Sequence, residues 1–155
     1  MVDRYNDRLG YEAATRRAMT ARLIILNTCW AALVVWASVQ GYTQFVFTHD
    51  ISGLSYIISA LLVSVLVSVF AGHTRVLPHA KVWAVMIGLI GNLVGFLVLA
   101  SGLSAGDMSS AAGLLKMSMS LIDGLSVAFC STLVGAVAAT WMGTVAYVLR
   151  MDASE

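Results

Sequence analysis

The chain has 155 residues, a formal net charge of +1, 59% hydrophobic residues and 11% charged ones. A soluble domain carries about 25% charged residues, so the composition excludes an ordinary soluble domain and indicates an integral membrane protein. The near-zero net charge also argues against a nucleic-acid partner.

Residues 1–22 hold five arginines (Arg4, Arg8, Arg16, Arg17, Arg22) and three acids (Asp3, Asp7, Glu12). This cytoplasmic N-terminal segment has two readings: an interfacial helix, or a charged tail that only sets topology. It is not expected to be a signal peptide, because the charged region is too long and no small-residue cleavage site follows the apolar run. From Leu23 onward, charge is confined to short gaps between apolar runs. Four runs, 23–41, 51–72, 82–101 and 125–149, are each 19 residues or longer and contain no Asp, Glu, Lys, Arg or His. About 20 apolar residues, rising about 1.5 Å each, cross a hydrocarbon core of about 30 Å. The expected fold is therefore all-α, with four transmembrane helices in one membrane domain at 23–149 and a cytoplasmic tail at 150–155. The runs do not alternate polar and apolar residues as a β-barrel would.

Span one carries Asn27, Thr28, Trp30 and Trp36 and reads as a peripheral, lipid-facing helix. The gap YTQFVFTHD at 42–50 places Tyr42, Phe45 and Phe47 where aromatic rings favour the headgroup region. Asp50 or Ser52 is positioned to cap the next helix. Span two holds Ser55–Ser59 and Ser64–Ser68, both spaced for helix packing. In the gap HTRVLPHAK at 73–81, the only proline, Pro78, marks the turn. His73 and His79 lack the helical spacing of a metal pair and read as solvated loop residues. Cys29 and Cys130 fall inside spans and read as small packing residues. No metal site or cofactor is expected.

Span three contains IGLIGNLVGF at 87–96, with Gly88, Gly91 and Gly95 on one face. In lipid, such glycines let helix backbones approach closely. Asn92 follows Gly91, and an amide in hydrocarbon needs a partner; an interhelical hydrogen bond and a pore-facing position both satisfy it. The gap 102–124 places Met108, Ala112, Leu115, Met119 and Ile122 on one helical face, with Asp107 as its N-cap. This is a short outer amphipathic helix that either precedes span four or extends it outward. Span four opens with GLSVAFCSTLVGAVAAT at 124–140. Gly124, Ala128, Thr132, Ala136 and Thr140 form one row of small residues, and Ser131, Gly135, Ala139 and Gly143 form the next. Close helix packing accounts for most of this strip, and a lined channel or a sleeve around another helix accounts for its hydroxyls.

Basic residues set the orientation. One side of a four-span arrangement holds eight (Arg4, Arg8, Arg16, Arg17, Arg22, Arg75, Lys81, Arg150), and the other holds only Lys116. By the positive-inside rule both termini are cytoplasmic. No ionisable group lies within the four runs, although such groups usually mark pumps and transporters. There is also no metalloprotease motif, nucleophile–base pair or phosphate loop, so an enzyme is not expected. If the chain serves proton movement, another polypeptide supplies the carrier.

Spans three and four together resemble the MotA/TolQ/ExbB proton-channel family. Residues 87–95, IGLIGNLVG, are similar to that family's L-G-L-L-G-T-V-x-G span. Residues 124–139 are similar to the span that follows it, and DISGLSYIIS at 50–59 to the start of an earlier one. The resemblance implies a homopentameric ring in the bacterial inner membrane around the single-span helix of a MotB/TolR/ExbD-like partner. An aspartate of that partner would carry the proton, and the ring would act as a motor driven by proton-motive force. It places Thr132 and Asn92 in the pore, with Ser131 and Ala128 on the ion pathway. Gly88, Gly91, Gly95, Gly124, Gly135, Ala139 and Gly143 are assigned to helix packing. Asn92 departs from the family threonine, and only residues 73–81 stand where members carry a large cytoplasmic domain. A minimal member is therefore expected. The rival expectations are a structural or accessory tetraspan protein without ion transport, and a small transporter or pore former.

Overall fold

The computed structural model describes residues 2–50, 52–104 and 110–152, and it is entirely helical over them. Five helices follow in order: α1 (Val2–Val39), α2 (Tyr42–His49), α3 (Leu54–Phe70), α4 (Leu77–Ser104) and α5 (Ala111–Asp152). Three stretches are long and apolar enough to cross a membrane: Arg17–Val39, Thr74–Gly102 and Ala111–Leu149. The fourth apolar run forms α3, which has only 17 residues and is about 25 Å long.

Helix boundaries differ from the sequence expectation in three places, and in a fourth the chain takes one of the two expected forms. A single 38-residue helix runs through both the charged N-terminal segment, from Val2, and span one. The gap at 42–50 folds into α2 instead of remaining a loop. Pro78 sits in the first turn of α4, where its missing N–H costs nothing, so the helix takes in residues expected as loop. The outer amphipathic stretch is continuous with span four: α5 is one 42-residue helix from Ala111. Met108 and the expected cap Asp107 lie outside the described residues.

The α3 C-terminus shows why the chain reverses where it does. Gly72 adopts φ +85°, a left-handed conformation that glycine takes without strain. The Gly72 amide donates to the Val69 carbonyl and the His73 amide to the Ser68 carbonyl, at 3.0 and 2.8 Å. This is a Schellman motif, which satisfies the last carbonyls of α3. A short 3-10 turn at Thr74–Val76 then leads into α4.

The core lies where α3, α4 and α5 meet. It contains Ile58, Val65 and Val69 of α3, Leu77, Ala80 and Ala84 of α4, and Ala138, Met142 and Val145 of α5. Helix α1 adds Leu23 and leans on α5. Leu93 and Leu97 of α4 and Phe129 and Leu133 of α5 are among many large apolar side chains left exposed. Helices apolar on their outer faces suit a lipid surround, where no polar face is required.

Candidate functional site

The small-residue strip of span four faces the glycines of span three within the same chain. Descending pairs show that α4 and α5 run antiparallel: Gly88 lies against Gly135, Gly91 against Ser131, Gly95 against Ala128 and Gly124, and Gly102 against Ser120. A methyl added at Gly95 would come within 2.5 Å of the Ala128 nitrogen and 2.6 Å of the Gly124 oxygen. One added at Gly135 would meet the Ala84 oxygen at 2.7 Å. These contacts are backbone to backbone, so neither helix can yield by turning a side chain.

Each expected site residue has a definite place. Ser131 and Ala128 are buried in this seam, at 0% and 2% exposure. The Ser131 hydroxyl donates to the Val127 carbonyl of its own helix at 3.0 Å. Thr132 is half-buried at the edge of the seam. Its hydroxyl lies 2.9 Å from the Ala128 carbonyl and 3.2 Å from the Gly88 carbonyl across the seam. Asn92 follows Gly88 by one helical turn and is also half-buried. Its side chain makes no hydrogen bond to any described residue. Ala139 packs against the core, whereas Gly143 has open space where a side chain would be.

A second polar cluster lies at the junction of α2 and α3. Asp50 is 5% exposed. One carboxylate oxygen accepts from the Ser52 hydroxyl, and the other accepts from the Ser55 amide at 2.6 Å. The Ser52 hydroxyl oxygen in turn accepts from the Leu54 amide at 3.3 Å. Asp50 and Ser52 together thus cap α3. Burial alone would raise the Asp50 pKa, but the hydrogen bonds from Ser52 and Ser55 outweigh it and hold the carboxyl below its ordinary value. On the α5 side, the carboxylate lies within electrostatic reach of buried Cys130. The sequence marked Asp50 as a cap but gave no sign that it would be buried. Beside it, Phe47 of α2 and Tyr56 of α3 meet with tilted rings, centroids 4.8 Å apart, while α2 itself packs against α1 and α5.

Among the described residues, no three His, Cys, Asp or Glu side chains gather as a metal site, and both cysteines are free thiols. An apolar cavity of about 470 Å³ opens between α1, α2, α3 and α5, with Leu33, Phe47, Leu62, Leu133 and Trp141 among its walls. No protein-family model matches the chain, and no curated protein or solved structure is significantly similar to it.

Proposed function

We propose that this chain is a ring-forming subunit of a bacterial inner-membrane complex driven by proton-motive force. In this reading α1, α3, α4 and α5 cross the bilayer with both termini cytoplasmic. Five copies surround the single-span helix of a partner whose aspartate carries the proton. The short α3 is accommodated by local thinning of the bilayer, at a modest cost.

The observation that carries the reading is the edge formed by Thr132 and Asn92. An amide half-buried in an apolar helix needs a partner, and no described residue of this chain supplies one to Asn92. A group on a neighbouring subunit, on the enclosed helix or in a wet pore would provide it. Thr132 borders the same seam, with its hydroxyl shared between two carbonyls and free to exchange one of them for a carboxylate. The glycine seam supports the reading indirectly, because it fixes the pair of helices on which both groups ride. Ser131 and Ala128 then act by setting that spacing, since they are enclosed within the subunit.

One observation favours a second reading. The seam residues are consumed by packing inside one chain, as a structural tetraspan protein would use them. Native mass spectrometry of the protein released in lipid nanodiscs separates the two. The ring reading expects five copies, with one or two copies of a smaller single-span chain. A monomer or dimer, confirmed by crosslinking in intact membranes, overturns it in favour of the structural role.

A further inference from the structure

We propose that the outer face of α4, from Arg75 in the turn before it to Leu93, binds an anionic phospholipid. Arg75 and His79 hold the phosphate, and an acyl chain lies along the helix beneath them. This inference requires only that α4 crosses a bilayer and does not rest on the ring reading.

The argument starts from charge. Arg75, His79 and Lys81 fall close together, and no Asp or Glu occurs between residues 51 and 106. Arg75 and His79 are exposed and Lys81 is half-buried. None of the three makes an ion pair or a side-chain hydrogen bond with a described residue. The acids with described side chains, Asp50 and Asp123, lie at the other end of the bundle: Asp50 precedes the first turn of α3, and Asp123 adjoins Gly124, which meets Leu99 late in α4. This end is therefore basic without an internal counter-charge. A guanidinium presents paired N–H donors that fit a phosphate, and an imidazole carries at least one N–H in either tautomer. Lys81 adds its charge from the flank through its long stem.

The second observation is the face beneath these charges. His79, Trp83, Met86, Ile90 and Leu93 recur at alternate intervals of four and three residues, so they share one side of the helix. Arg75 stands four residues before His79 in the same helical stretch, Thr74–Gly102. Trp83, Met86, Ile90 and Leu93 are each more than half exposed, because α5 takes the opposite side, at Gly88, Gly91 and Gly95. From Trp83 to Leu93 the helix rises about 15 Å, which is the depth of one leaflet of a core about 30 Å thick. The indole at the top of the stripe suits the headgroup region. The order along the face is cation, indole, then apolar side chains. A phospholipid has the matching order of phosphate, ester and acyl chain. A soluble anion would use Arg75 and His79 but not the stripe, so the lipid is the occupant that fits both.

The test places the full chain in phosphatidylcholine vesicles with phosphatidylglycerol as the minor component, and puts bromine on the acyl chains of one lipid or the other. Bromine quenches a tryptophan that it touches. Trp36→Phe leaves Trp83 as the exposed tryptophan, because Trp30 and Trp141 are at least half-buried. In this background Trp83 quenching is expected to show a preference for phosphatidylglycerol of about fivefold over its mole fraction. Adding Arg75→Gln is expected to bring the preference below about twofold, whereas Lys116→Gln, which removes the same charge at the far end, leaves it unchanged. Trp83→Phe moves the report to Trp36 at the other end of the bundle, where no preference is expected. Quenching of Trp83 in proportion to mole fraction overturns the site, and so does a preference that survives Arg75→Gln, falls equally with Lys116→Gln or appears equally at Trp36. Failure of either brominated lipid to quench Trp83 also overturns it, since a second copy of the chain then covers this face.

Discussion

At the residue scale, Gly95 and Gly143 look equivalent as small residues in an apolar helix, but the structure separates them. A methyl at Gly95 would meet backbone atoms of α5 at 2.5 and 2.6 Å, whereas one at Gly143 would meet nothing within 4 Å. Gly95→Ala is therefore expected to destabilise the protein by about 1–3 kcal/mol through forced separation of the helices. Gly143→Ala is expected to be neutral, or to stabilise by about 0.5–1 kcal/mol because alanine loses less backbone entropy in a helix. Equilibrium unfolding in mixed micelles would measure both, and equal effects would refute the seam. The four-residue spacing of small side chains was plain in the sequence. Their partner was not, because one strip serves equally well against a helix of its own chain or of another. Asp50 illustrates the same limit. Its capping role followed from its place before a helix, but its enclosure depends on how distant elements pack around it, which spacing along the chain does not encode.

At the scale of elements, α1 is the most loosely held span. Its attachment is concentrated in a few groups. Trp30 stacks on Trp141 with centroids 5.6 Å apart and rings 12° from parallel. The Trp30 indole N–H donates to the Thr144 hydroxyl at 3.0 Å, and the Trp141 N–H donates to the Asn27 side-chain oxygen at 2.8 Å. Most other α1 positions from Arg17 onward are exposed, in keeping with the peripheral span read from the sequence. Trp30→Ala removes a stacked pair and one hydrogen bond, together about 1–2 kcal/mol. Hydrogen exchange should then quicken in residues 17–39 while α3, α4 and α5 keep their protection. Uniform loosening of all four helices would show that α1 is integral to the core. The ends of elements were the least legible feature. Nothing between the outer amphipathic stretch and span four breaks a helix, and nothing in the pattern says whether the helix bends there.

At the scale of the whole molecule, the structure has two polar ends and an apolar waist. Arg75 lies in the turn between α3 and α4, and Lys116 lies on the far reach of α5. Both are exposed. With Cys29 and Cys130 replaced, a membrane-impermeant maleimide is expected to label Lys116→Cys in spheroplasts and Arg75→Cys only after lysis. Labelling of both from one side would contradict a bundle that crosses the bilayer. The class of fold was legible because lipid demands long uncharged runs. The assembly was not, because a lipid-facing leucine and one that meets a neighbouring subunit read alike.

The 42 residues of α5 form one helix without a break, about 63 Å from end to end. A bilayer core is about 30 Å thick, so this rod is about twice as long as the core is deep. A rod pivoted at one end behaves as a lever. Each degree of tilt at its foot sweeps the tip sideways by about 1 Å, given the rise per residue of a helix. The glycine seam clamps the middle of α5 to α4, so the two helices must swing together. A tilt of α5 therefore carries α4 with it, and the displacement is largest at the ends of the pair.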